Sequence, residues 1–210
     1  VIGHQFWWEY RYDDLGVVTA NELRMPTGRP VELTLLSDDV IHSYWIAPLA
    51  GKTDVVPGRQ NRMSFSADEP GEYIGQCTEF CGDSHANMRA KAIAMTPADF
   101  DAWVASQQAP SVKASPGTRG EAGALLFAQK GCGGCHTVEG VSEGTIGPNL
   151  THFASRTTFA GSIFDNNDAN LRRWLRDPQG EKPGNKMIIP GAPLTPDEIT
   201  ELIVYLNTLR

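Results

Sequence analysis

All four cysteines of this 210-residue chain fall into two short motifs, Cys77/Cys81 and Cys132/Cys135. A disulfide framework would spread its cysteines along the chain, so this grouping points instead to metal chemistry or local redox pairs. The five histidines are His4, His42, His85, His136 and His152, and two of them, His85 and His136, follow the cysteine pairs closely.

The later motif, Cys132-Gly133-Gly134-Cys135-His136, is a C-x-x-C-H sequence and reads as covalent haem c attachment. Two thiols must reach two vinyl groups while the next residue points its imidazole at the iron. A thioredoxin-like dithiol shares the C-x-x-C spacing but needs a βαβ context, and here a helical pattern precedes the motif and no strand follows. A low-spin electron-transfer haem needs a second axial ligand. Met187 is the only methionine after residue 106, and a thioether donor raises the potential of the iron. His152 is the rival, but a lone histidine is more often structural, so Met187 is preferred.

The earlier motif runs from Cys77 through Glu79, Cys81 and His85 to Met88, with His42 upstream. Thiolate, thioether and imidazole together select copper, because Cu(I) prefers soft donors. Structural zinc on His42, Cys77, Cys81 and His85 is a legitimate tetrahedral set that leaves Met88 unexplained. A Cys77–Cys81 disulfide leaves both histidines idle, and a mononuclear copper site leaves one thiol surplus. Two thiolates bridging two coppers use every group.

Residues 107–118 are rich in Pro, Ser and Ala without periodicity and read as a linker between domains 1–106 and 119–210. Before it, short strand signals at His4–Tyr12, Val31–Leu36, Asn61–Ala67, Glu72–Cys77 and Arg89–Met95 are separated by Pro-Gly turns, as in an all-β sandwich or barrel. Thr96-Pro97 opens a closing helix with Phe100, Trp103 and Val104 on one face. After the linker the pattern is helical. Gly120–Lys130 is expected to set Leu125, Leu126 and Phe127 against the cysteine motif; Asn170–Arg176 and a segment starting at Thr195-Pro196 follow.

Charge is lopsided. Residues 1–106 carry 15 acidic and eight basic side chains, whereas the remainder is neutral. An acidic first domain disfavours nucleic acid and favours basic protein partners. Arg172, Arg173, Arg176, Lys182 and Lys186 gather near Met187 in sequence and are expected to form a basic surface beside the haem, facing the acidic domain during transfer. No apolar run approaches the roughly 20 residues that span a bilayer. The chain starts at Val1, which is read as a piece of a longer protein whose two N-terminal membrane helices are missing.

Residues 1–104 resemble the extramembrane domain of cytochrome c oxidase subunit II. The landmarks are Gly3-His4-Gln5, Val40-Ile41-His42-Ser43, Lys52-Thr53-Asp54, Pro57-Gly58-Arg59, and Pro70-Gly71-Glu72-Tyr73 ahead of the cysteine loop. Residues 119–210 are similar to a class I cytochrome c, and the fusion resembles subunit II of a caa-type oxidase. The resemblance implies a cupredoxin-like β-barrel followed by an all-α cytochrome c fold. It implies that Cys77 and Cys81 bridge the two coppers of a CuA centre, with His42 and Met88 on one metal and His85 and the Glu79 carbonyl on the other. In Gly147-Pro148-Asn149-Leu150 it implies that the Pro148 carbonyl accepts the His136 ring N–H. Phe6 stands where the family carries a tryptophan at the surface that receives electrons; Phe6 with Trp7 is the candidate entrance on the copper domain itself, and the departure at Phe6 argues for entrance through haem c instead.

The function so implied is electron relay: from an external donor such as a small cytochrome, through haem c and CuA, to haem a of oxidase subunit I, for reduction of oxygen to water. The expected location is the outer, periplasmic face of the bacterial cytoplasmic membrane. The copper subunit of a nitric oxide reductase, or a free electron carrier, would use the same motifs.

Overall fold

The computed structural model describes residues 1–112 and 114–210; Lys113, inside the expected linker, lies outside the described residues. The chain divides into two compact units, Val1–Gln108 with Thr158–Phe164, and Ala109–Thr157 with Asp165–Arg210.

The first unit contains β1 (Ile2–His4), β2 (Trp7–Tyr12), β3 (Val17–Ala20), β4 (Glu22–Pro26), β5 (Val31–Ser37), β6 (His42–Trp45), β7 (Thr53–Val55), β8 (Asn61–Phe65), β9 (Gly71–Cys77) and β10 (Arg89–Met95). They form two five-stranded sheets, ordered β3-β2-β1-β5-β8 and β4-β10-β9-β6-β7. Most neighbours are antiparallel, but β1 runs parallel to β5 and β10 parallel to β4. Alternation explains β5: Leu33 and Leu35 are buried while Glu32 and Thr34 face solvent. Their partners in one continuous core include Trp8 and Tyr10 from the same sheet, and Met25, Tyr44, Ala90 and Ala92 from the other. Burying each large apolar side chain contributes on the order of 1.5–3 kcal/mol. β2 departs from alternation, since Trp8, Glu9 and Tyr10 are buried in succession. Glu9 is accommodated by an ion pair to Arg11, with His4 Nε2 3.3 Å from its carboxylate.

Helix α1 (Pro97–Gln108) begins where the sequence signals it, with Thr96 Oγ1 accepting the Asp99 N–H at 3.2 Å. Its Phe100 and Trp103 rings pack on Tyr12, at centroid distances of 6.4 and 5.3 Å. Thr158, also part of this unit, donates its N–H and hydroxyl to the buried Glu22 carboxylate at 2.7 and 2.9 Å.

The second unit is mainly helical: α2 (Arg119–Gln129), α3 (Asp168–Arg176), α4 (Pro178–Glu181) and α5 (Pro196–Leu206). A short ladder, β11 (Thr137–Val138) with β12 (Ser142–Glu143), interrupts its loops; β13 (Thr158–Phe159), which pairs with β14 (Phe164–Asp165), lies in the segment that belongs to the first unit. Thr118 and Asn167 cap α2 and α3, and Thr195 with Glu198 forms a complete capping box on α5. α2 packs on α5 through Leu126 and Phe127 against Leu202, Tyr205 and Leu206, the Phe127 and Tyr205 rings lying 5.5 Å apart. Leu125 is not part of this contact and is 59 % exposed. At 100° per residue, Gly123, Leu126 and Phe127 share one face and Leu125 points away from it.

Candidate metal centres

The first centre is assembled by strand pairing. β6 begins at His42 and β9 ends at Cys77, and the two strands pair with Tyr44 opposite Cys77. Backbone bonds Thr78 N–H to Ser43 O at 3.0 Å and Cys77 N–H to Met88 O at 2.8 Å then fold the cysteine loop back over this end of the sheet. His42 and Met88 are completely buried, Cys77 and Cys81 nearly so, and His85 is half-buried.

The two thiols sit at the middle of the cluster, with their sulfurs 3.9 Å apart and unbonded. Cys77 Sγ lies 3.9 Å from His42 Nδ1 and 3.3 Å from the Glu79 carbonyl oxygen. Cys81 Sγ lies 3.5 Å from His85 Nδ1 and 3.8 Å from Met88 Sδ. His42, Cys77 and Cys81 offer donor atoms within 4.8 Å of one another. The six positions singled out in the sequence are thus brought together, Glu79 through its backbone carbonyl, its side chain being exposed. Half the sulfur separation is shorter than a metal–sulfur bond of about 2.3 Å, so both sulfurs reach a common ion from either side.

Electrostatics favour the thiolate, metal-binding form of Cys77. Hydrogen bonding from the Cys81 thiol, with help from His42 and two backbone groups, outweighs burial and lowers the Cys77 pKa to about 4. For His42, burial disfavours the cation, but hydrogen bonding to Asp39 and Cys77 outweighs it and raises the pKa. Two neighbours crowd the His42 ring. Trp8 meets it edge-on at 5.7 Å, and a Cβ on Gly3 would come within 2.8 Å of its Cδ2, so only glycine fits there.

Of the two expected electron-entrance residues, Phe6 is 3 % exposed and packs towards Gly82 beside Cys81. Trp7 is half-buried and stacks on His4 with ring centroids 4.2 Å apart. The largest exposed ring near the centre is Phe80, 75 % exposed and 5.9 Å from the His85 ring.

The second centre sits in the other unit. Cys132–Gly134 forms a single helical turn, and the Cys132 carbonyl accepts the N–H groups of Cys135 and His136 at 3.1 and 3.0 Å. The His136 Nδ1 donates to the Pro148 carbonyl at 2.8 Å, which fixes the ring and leaves the Nε2 lone pair available to a metal. Burial, opposed by the Pro148 bond, lowers the His136 pKa and keeps the imidazole neutral, the form a metal needs. The cradle is tight on one side: a Cβ on Gly147 would meet His136 Cε1 at 2.5 Å. Cys132 and Cys135 are free thiols, partly accessible, so the residues fit a covalently held haem.

Met187 is half-buried and held in place by three neighbours. Trp174 Nε1 donates to its Sδ at 3.0 Å, Asn185 Oδ1 accepts its N–H, and Gln179 donates to its carbonyl. His152 is buried, and neither ring nitrogen has a hydrogen-bond partner among the described residues. The expected basic surface is only partly realised. Lys182 is 2 % exposed, and Arg173 is paired with Glu181 at 2.7 Å, because the short helix α4 folds back on α3.

Residues that the sequence reading passed over are Asp39, whose Oδ1 is 2.8 Å from His42 Nε2, and the side chain of Gln5, which donates to the Cys81 carbonyl. The available signal was an acid three residues before a ligand histidine. Nothing in the sequence shows that it folds back onto the ring.

Both regions of the chain have known relatives. Residues 17–95 match the family of the cytochrome c oxidase subunit II periplasmic domain, and residues 120–210 match cytochrome c. Cytochrome c oxidase subunit 2 of Alkalihalophilus pseudofirmus is 41 % identical, and that of Bacillus sp. strain PS3 is 36 % identical. Both alignments cover all of this chain and 60 % and 61 % of the relative. The chain therefore spans about 60 % of the length of the curated relatives it matches. Among solved structures, the periplasmic domain of cytochrome oxidase subunit II from Bradyrhizobium japonicum matches with a TM-score of 0.50 and 28 % identity, over 51 % of this chain and 89 % of that one. Sheet-rich unit, haem-attachment motif and similarity along the whole chain converge: a region matching the cytochrome c oxidase subunit II periplasmic domain is followed by one matching cytochrome c, and the chain is similar throughout to cytochrome c oxidase subunits 2.

Proposed function

We propose that this chain is the electron-relay subunit of a haem–copper terminal oxidase. Its first domain, residues 1–106, is a cupredoxin-like barrel holding a binuclear CuA centre; its second, residues 119–210, holds haem c; and residues 107–118 link them. When bound, each of these groups supplies a reversible one-electron step without a proton or an atom transferred. Cys77 and Cys81 would bridge the two coppers, with His42 and Met88 completing one and His85 and the Glu79 carbonyl the other. Cys132 and Cys135 would hold the haem covalently, with His136 and Met187 as axial ligands. Electrons from an external donor would pass through the cytochrome to the copper site and leave for subunit I, on the outer face of the cytoplasmic membrane.

The observation that carries this reading is the placement of two sulfurs 3.9 Å apart, each with further donors at 3.3–3.9 Å. A zinc site would leave the buried Met88 thioether beside Cys81 without a role. Metal analysis of protein matured with copper available tests it. Two coppers per chain, with a hyperfine pattern of two equivalent nuclei, are expected; one copper, or stoichiometric zinc, contradicts it.

A further inference from the structure

Behind the His42 ring lies a chain of hydrogen bonds that the copper reading leaves without a purpose. Asp39 Oδ1 is 2.8 Å from His42 Nε2 and also accepts the Val40 N–H at 2.8 Å. Asp39 Oδ2 accepts the Gln5 backbone N–H at 2.7 Å. The Gln5 side chain then donates from Nε2 to the Cys81 carbonyl oxygen. One path, His42–Asp39–Gln5–Cys81, therefore joins a histidine from the start of β6 to a cysteine of the loop after β9 by way of the segment between β1 and β2. It is shielded from water: the His42 side chain is fully buried and that of Asp39 is 11 % exposed.

The chemistry of Asp39 determines what this path can do. Both of its carboxyl oxygens already accept backbone N–H groups, Oδ1 from Val40 and Oδ2 from Gln5, so the group acts as an acceptor and the His42 nitrogen facing it carries the proton. That leaves Nδ1, which faces Cys77 Sγ at 3.9 Å, with its lone pair directed at the thiols. An amide could not take over, because it would turn an N–H against either the Gln5 N–H or the Val40 N–H. Carboxylate partners of ligand histidines are worth about 10–100-fold in metal affinity where they have been removed.

We infer that Asp39 is a positioning residue for the metal centre: it fixes the tautomer and ring orientation of His42, and Gln5 ties that arrangement to the backbone of Cys81. The inference rests on the reading of this cluster as a copper site, and the two fail separately. Nitrogen-15 NMR of the metal-free protein, at a pH where the ring is neutral, reads the His42 tautomer without any copper. The expected result is a proton on Nε2; a proton on Nδ1 overturns the inference, whatever metal the site takes. The second measurement is copper competition with a chelator, together with the hyperfine pattern. Asp39→Asn should weaken copper binding by about 10–100-fold and make the two coppers inequivalent. Asp38→Asn, which removes the same charge one residue away from a side chain facing His4, should change neither. Wild-type affinity and hyperfine pattern in Asp39→Asn, or equal losses in both variants, overturn the inference. Should Asp39→Asn not fold, the wild-type tautomer decides alone.

Discussion

Gly147 lies flat against the His136 ring, so close that a Cβ there would approach Cε1 to 2.5 Å. Beside it, the Pro148 carbonyl accepts the ring's Nδ1–H at 2.8 Å. The dipeptide Gly147-Pro148 thus sets both the position and the tautomer of the imidazole. Gly147→Ala should push the ring off this bond. Overpacking of this kind costs about 1–3 kcal/mol, and here the ligand itself has to move. The expected outcome is a several-fold drop in the haem-to-protein ratio, read from the optical spectrum of purified protein, with the β unit's circular dichroism unchanged.

The distal ligand is tested by a pair of substitutions. Met187→Ala should abolish the weak red-end absorption of a thioether-ligated oxidised haem and lower the reduction potential, because the soft donor is lost. His152→Ala should leave that band in place. The opposite pattern would assign the axial role to His152, which is buried with both ring nitrogens lacking partners among the described residues.

Glu9 predicts an acid limb in the stability curve. Burial alone would raise its pKa, but hydrogen bonds from His4 and Arg11 outweigh that and hold it below 4.5. A carboxyl depressed on folding contributes stability that is complete above its unfolded value, and that contribution is lost as pH falls through the folded value. Stability of the wild-type protein should therefore fall below about pH 4.5. Glu9→Gln should be less stable at neutral pH and should lose less on acidification, measured as denaturant midpoints from pH 7 to 3.

The α5 capping box predicts a smaller effect. Thr195 Oγ1 accepts the Glu198 N–H at 3.2 Å while the Glu198 carboxylate accepts the Thr195 N–H at 2.8 Å. Thr195→Ala should destabilise the helical unit by about 1 kcal/mol, seen as a lower midpoint in thermal unfolding followed at helical wavelengths.

How much of this was legible in the sequence depended on how local the signal was. β10 matches the expected Arg89–Met95 span, and α5 starts at its Thr-Pro signal, because alternation and capping are written within a few residues. β3, β4, β6 and β7 left no such mark: each has three to five residues, and they acquire strand geometry from their neighbours in the sheets. The residues that meet around the two thiols were legible by type and spacing. The burial of Phe6 was not, since it comes from packing against a loop 76 residues further on. The role of Asp39 was hidden for the same reason, an i to i+3 neighbour being visible as a spacing but not as a hydrogen bond.

The central claim, that electrons enter this chain at the cytochrome and pass on to the copper site, is tested most directly by stopped-flow reduction with a reduced donor cytochrome. The wild-type protein should show its haem absorbance changing first, followed by the copper absorbance at a rate independent of protein concentration. In the Cys132→Ala/Cys135→Ala variant, copper should be reduced far more slowly. Equal copper reduction rates in the two proteins would contradict the account and place the electron entrance on the first domain, beside Trp7.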